Sequence, residues 1–136
     1  MENTKRIAPA ITVNGKEYCI NVGRGVVRAL GYPSHICLLE HDKWQVIAIT
    51  SCDESDPLSF RVPEGFPDEK MKKFRIYSQS LVREILEDCD LDQGKVYHLK
   101  GEYIEAMNAV LFRLSAAEDK DEQNLERDDI AGADAR

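Results

Sequence analysis

Short apolar runs separated by polar punctuation make up most of the chain, and their spacing assigns the elements. Ile11 to Val13 and Lys16 to Val22 flank Asn14-Gly15, with Tyr18, Ile20 and Val22 alternating with Glu17, Cys19 and Asn21. A period of two on both sides of Asn-Gly predicts a hairpin closed by a two-residue type I′ turn. From Arg24 to Leu30 the period changes: Val26, Val27 and Leu30 fall at helical spacing, Gly31 ends the run and Pro33 follows. His35 to His41 then reads as a strand, Asp42-Lys43 as a turn and Trp44 to Thr50 as a returning strand.

The same order returns in the second half. Phe74 to Tyr77 is a short strand and Ser78 a predicted N-cap, followed by a helix whose apolar face is Leu81, Val82, Ile85, Leu86 and Cys89. Gln93-Gly94 turns the chain, and Lys95 to Tyr103 and Ala109 to Leu114 are the last two strands. Val26 to Leu30 (VVRAL) lies on Leu81 to Ile85 (LVREI) at an interval of 55 residues, the pattern of an internal repeat. Between the halves, Ser51 to Lys73 carries Pro57, Pro63, Gly65 and Pro67, with Ser59 to Val62 as a short strand inside it. One short helix and a few strands cannot bury a core alone, so the two units are expected to share one. The expectation is a single α+β domain over residues 1–117, with repeat one at about 11–50, a connector at 51–73 and repeat two at about 74–115.

Composition changes this picture only at the end of the chain. Hydrophobic residues make up 43% and charged residues 32% of 136, a globular mixture. The formal charge is −7, which excludes a uniformly basic nucleic-acid wrapper. Residues 118–136 hold eight acids against three bases, whereas residues 1–117 hold 17 against 15. With only Leu125 and Ile130 as large aliphatics, residues 118–136 are expected to be a disordered acidic tail. No apolar run approaches the roughly 18–20 residues of a membrane span, and the first residues lack the apolar stretch of a signal peptide. Cysteines 19, 37, 52 and 89 show no paired spacing, so reduced thiols in a cytoplasmic protein are expected.

Arg24, Arg28, Lys73, Arg75 and Arg83 surround the two strand-to-helix corners, with Lys70 and Lys72 beside the second. Cations grouped at such corners are what phosphate contacts require, so these five are the candidate nucleic-acid-binding residues. Other chemistry is less well matched. Asp88, Asp90 and Asp92 alternate as in a calcium loop, but Gln93 and Leu99 occupy the positions that need glycine and glutamate. His35, Cys37 and His41 share a strand face yet spread over about 20 Å at strand rise. Gly23-Arg24-Gly25 lacks the rest of a phosphate loop, and no nucleophile elbow is present. No enzyme activity, cofactor or metal is expected. Trp44 and Tyr103, at hairpins, are expected to be buried, the alternative being an exposed anchor for a partner.

Val22-Gly23-Arg24 with Val26 to Gly31 resembles the strand-to-helix stretch of the AbrB/MazE-like swapped-hairpin family. Ile76, Ser78, Leu81 to Leu86 and Gln93-Gly94-Lys95-Val96 resemble it again. Gly23 and Ser78 stand where that family opens its helix with proline, and Tyr32-Pro33-Ser34 replaces its Gly-Asp turn in the first copy. The family's unit pairs with a second copy, usually from another chain, to make a small barrel. The resemblance implies two fused β-α-β-β repeats in one swapped-hairpin-like barrel. It also implies a DNA-binding transcriptional regulator or antitoxin-like protein whose first-strand and helix residues face double-stranded DNA, as a monomer or homodimer. The acidic tail and helix end point instead to an interaction module that binds a basic protein partner.

Overall fold

Strands whose alternate residues are apolar can bury only one face, as Ala10–Asn14, Val46–Ser51 and Lys73–Tyr77 do here. The computed structural model describes residues 8–41, 43–66 and 71–119. In chain order these form β1 (Ala10–Asn14), β2 (Cys19–Gly23), α1 (Arg24–Ala29), β3 (His35–His41), β4 (Val46–Ser51) and β5 (Ser59–Arg61). They continue with β6 (Lys73–Tyr77), α2 (Gln79–Asp88), β7 (Val96–Ile104), β8 (Ala109–Arg113), a 3₁₀ turn (Leu114–Ala116) and β9 (Glu118–Asp119). The strands follow the order β5-β3-β4-β8-β7-β1-β2-β6, with β9 added on β7. Every pairing is antiparallel. The sheet curls into a near-barrel, and among the described residues no ladder joins its two ends, β5 and β6. This is a small, mostly β, α+β fold. No helix among the described residues is long and apolar enough to cross a membrane.

The core lies inside the curl. Ile20 and Val22 of β2, Phe74 and Ile76 of β6, and Ile11 and Val13 of β1 point into it. There they meet Val26 and Val27 of α1 and Val82, Ile85 and Leu86 of α2. The three α2 residues are 0% exposed, and burying each contributes about 1.5–3 kcal/mol. Strand β7 takes different partners along its length. Its first part pairs with β1 and its last with β8, and it changes partner at Lys100–Gly101. Gly101 lies under the ring of its cross-strand partner Phe112, where an added Cβ would stand 2.8 Å from Cδ2. Glycine is therefore required there for space.

Both helices end in the same way. Gly31 takes φ +82° beyond α1, and the Gly31 and Tyr32 amides donate to the carbonyls of Arg28 (3.0 Å) and Val27 (2.9 Å). Asp90 takes φ +56° beyond α2, and the Asp90 and Leu91 amides donate to Glu87 (3.2 Å) and Leu86 (2.8 Å). These are Schellman closures, one with the preferred glycine and one without it. Their starts differ. The expected Ser78 cap is present, its Oγ accepting from the Leu81 amide at 3.3 Å. Gly23 caps α1 without a side chain, because a Cβ would lie 2.9 Å from the Ala10 carbonyl oxygen.

The first hairpin differs from the two-residue turn expected at Asn14-Gly15. The last ladder pair is Asn14↔Cys19, so residues 15–18 form the loop. Asn14 Oδ1 accepts from the Lys16 and Glu17 amides, each at 2.9 Å, and Tyr18 rather than glycine takes the positive φ of 56°. Gly15 is reserved for close approach. Its amide donates to the Lys95 carbonyl at 2.8 Å, and a Cβ would fall 2.7 Å from that oxygen. The β3–β4 and β7–β8 hairpins close similarly, on Gln45 (φ 53°) and Asn108 (φ 49°).

Glu118 and Asp119, the first residues of the segment expected as a tail, pair as β9 with His98 and Tyr97. Lys95 Nζ lies 3.1 Å from Asp119 and 3.4 Å from Asp92. Residues 120–136 lie outside the described residues.

Two substitutions test these constraints by denaturant unfolding. Gly101→Ala must displace the buried Phe112 ring and is expected to cost about 1–3 kcal/mol. Asp90→Gly relieves a left-handed backbone and removes an acid from a helix C-terminus, and is expected to stabilise by about 0.5–1 kcal/mol.

Candidate nucleic-acid interface

Period-two alternation turns Phe74 and Ile76 inward on β6, leaving Lys73, Arg75 and Tyr77 exposed on the other face. The pairing with β2 sets Lys73 opposite Gly23, Arg75 opposite Asn21 and Tyr77 opposite Cys19. The registers of β1 and β7 extend this face, so Arg75, Asn21, Thr12 and His98 form one row across four strands. Beyond it, Lys73 pairs with Gly23 on β2, and Lys100 pairs with Ala10 on β1. Thr12 Oγ1 and His98 Nδ1 are 3.3 Å apart. Asn21 Oδ1 is buried and accepts no hydrogen bond from the described residues.

The two strand-to-helix corners stand at opposite ends of this β2–β6 ladder. Strand β2 runs into α1 beside Lys72, where the Arg24 amide donates to the Lys72 carbonyl at 2.8 Å. Strand β6 runs into α2 beside Tyr18, where the Ser78 amide donates to the Tyr18 carbonyl at 3.2 Å. The strand Lys73–Tyr77 sets these corners about 13 Å apart at strand rise. A polar outer face thus runs from one corner to the other.

The four arginines and one lysine singled out from sequence do different work here. Arg24 is half-buried, and its Nη1 donates to the Met71 carbonyl at 2.9 Å while the guanidinium lies 6.0 Å from the Tyr32 ring centre. It fastens the end of the connector to α1. Lys73 is exposed, opposite Gly23. Arg75 reaches back to Glu17 Oε1 and Tyr77 Oη, each at 3.2 Å, and the hydroxyl contact, more than the carboxylate, holds its charged form. Arg83 is exposed on α2, 5.4 Å from the Tyr18 ring centre. Arg28 is exposed in the last turn of α1, where a cation favours the helix dipole. The fold therefore brings Arg24 and Lys73 together at one corner, with Arg75 between the corners and Arg83 at the other. Arg28 stands a turn further along α1. Lys100, His98 and Thr12, which sequence spacing did not single out, join the face through the β1–β7 register.

Other expected features separate. His35 Nδ1 contacts Ser34 Oγ at 2.9 Å, His41 stacks on Trp44 at 4.5 Å between ring centres, and the Cys37 sulfur meets Cys52. The three strand residues thus serve three different neighbours. Trp44 and Tyr103, expected inside, are 71% and 36% exposed, because both belong to outward hairpin ends that no element among the described residues covers. At the end of α2, Glu40, Glu84 and Asp88 gather within 4.8 Å. Burial first, and then Glu40 and the flanking aspartates, push the Cys89 thiol up to about 11.

Comparison with known proteins matches this chain to no family model, no curated protein and no solved structure.

Proposed function

We propose that this chain is a non-enzymatic DNA-binding regulator or antitoxin-like protein that contacts double-stranded DNA with the outward face of β6 and its two flanking corners. The observation that carries the reading is the β2–β6 ladder. It carries Lys73 and Arg75 on one antiparallel ribbon, with Arg24 and Arg28 on α1 beyond one end and Arg83 on α2 beyond the other. Two-stranded ribbons enter DNA grooves, and here β2 and β6 are the last two strands at one end of the sheet. Arg75 and Lys73 then face the duplex directly, while Arg28 and Arg83 contact phosphates at the ends. The near-neutral balance of residues 1–117 leaves such a local face effective despite the total charge.

In this reading the molecule is two fused swapped-hairpin-like repeats, β2-α1-β3-β4 and β6-α2-β7-β8. Three features support it. The β2–β6 pairing is centred on Asn21↔Arg75, and the β4–β8 pairing on Ala48↔Leu111. The hairpin ends correspond as well, His41↔Val46 with Ile104↔Ala109. Counted from the caps Gly23 and Ser78, Arg28 and Arg83 hold the same helical position. A fused pair supplies within one chain the second copy that the AbrB/MazE-like family takes from a partner.

A second reading, a module that binds a protein partner, is favoured by the outer face of β3, β4 and β8. There Leu39, Trp44 and Met107 are exposed around a groove of about 610 Å³ floored by Ala48 and Leu111. A basic partner would also meet the Glu40, Glu84 and Asp88 cluster.

Fluorescence anisotropy with mixed-sequence duplex separates the readings. Binding is expected at low salt and to fall steeply as salt rises, with each phosphate contact contributing about −0.9 to the log–log slope. Arg28→Ala with Arg83→Ala should weaken binding and flatten the slope by roughly 2. Glu17→Gln should strengthen binding by freeing Arg75. Absence of binding at low salt defeats the DNA reading, and a stoichiometric, nuclease-resistant protein partner lost with Trp44→Ala establishes the second.

A further inference from the structure

Cys37 and Cys52 are far enough apart in sequence to look unrelated, but the β3–β4 register brings them together. Cys37 pairs with Thr50, and beyond the end of β4 the Cys52 amide donates to the His35 carbonyl at 3.1 Å. Cys52 is therefore the diagonal neighbour of Cys37 on the outer side of the strands. Their sulfurs are 2.8 Å apart, inside ordinary van der Waals separation. The turn that follows folds back over them. The Asp56 amide donates to Asp53 (3.0 Å), Asp56 Oδ1 accepts from the Leu58 amide (2.9 Å), and the Asp56 carbonyl accepts from the Ser59 amide (3.0 Å). So held, the Asp56 carboxylate lies within 4.8 Å of both sulfurs. Cys19, on β2, and Cys89, at the end of α2, have no such partner among the described residues.

We propose that Cys37 and Cys52 are a dithiol modification site that closes to an intramolecular disulfide by exchange with a low-molecular-weight disulfide such as oxidised glutathione. The two sulfurs are not equivalent. Cys37 is 4% exposed, and burial first, then contacts with Cys52 and Asp56, push its thiol up to about 12. Cys52 is only half-buried. Cys52 is accordingly the entry thiol: as thiolate it attacks one sulfur of the small disulfide, forming a mixed disulfide and releasing one glutathione thiolate. Cys37 then attacks the Cys52 sulfur as its proton passes, by way of the Asp56 carboxylate beside it, to the second glutathione thiolate as that leaves. Two protein thiols lose two electrons and two protons, and one glutathione disulfide becomes two thiols. The new bond ties β3 to the root of the connector. This site does not depend on the DNA reading.

The test uses the full reduced chain, incubated in a mixture of reduced and oxidised glutathione, trapped by alkylation and digested with trypsin. The expected product links the peptide 29–43 to the peptide 44–61, lowers the intact mass by about 2 Da and reduces the free thiols from four to two. Cys37→Ser should stop at the glutathione adduct on Cys52, and Cys52→Ser should leave Cys37 unmodified. The wild-type peptide map needs no variant to fold. Three results overturn the proposal: all thiols remaining free, a disulfide that includes Cys19 or Cys89, or one equivalent of zinc held by the reduced protein through Cys37 with no disulfide formed.

Discussion

The candidate face depends on one of the three ladders that join the halves, the antiparallel pairing of β2 with β6. Those strands lie far apart in sequence, and closing such a loop costs entropy before any contact is gained. The return comes from Ile20 against Ile76 and Val22 against Phe74, four apolar side chains turned into one core by a single register. A slip of one residue would turn Lys73 and Arg75 into that core and move Phe74 and Ile76 to water. The inward and outward faces of this ladder are thus fixed by the same constraint. The polar outer row cannot move without destroying the apolar inner one.

Much of the fold could be read from the chain because burial imposes periodicity. The KFRIY stretch of β6 alternates without a break, and VVRAL and LVREIL mark helices whose apolar positions are buried. Loop geometry was harder to read, because two of the three hairpins take their positive φ at Tyr18 and Gln45, side chains that carry little turn signal. Gly15, the obvious turn glycine, is instead consumed by contact with Lys95. Of the candidate site, the identities of the cations were legible and their neighbours were not. Nothing local in the chain says that Arg24 would be held by Met71 or Arg75 by Glu17, since those partners are set by tertiary register. The Cys37–Cys52 contact escaped for the same reason.

The two outer faces of the curl also divide the chemistry. On the β6–β2–β1–β7 side the exposed residues are largely cationic or polar, including Lys73, Arg75 and Lys100. On the β3–β4–β8 side they include Leu39 and, at the flanking turns, Trp44 and Met107. A charged ligand and an apolar one would therefore approach from different directions without competing for residues. This separation follows from the phase of each strand rather than from any single substitution.

The gap in the ladder between β5 and β6 has a consequence for solubility. A strand at the end of a sheet presents unpaired amides and carbonyls, which invite a strand from another molecule. β5 is only three residues long and offers little to pair with. β6 is longer, and Lys73 and Arg75 stand two positions apart on its exposed face, so a copy adding its own β6 there would bring like charges together. The cations of β6 thereby also oppose growth at this edge, which no strand among the described residues covers.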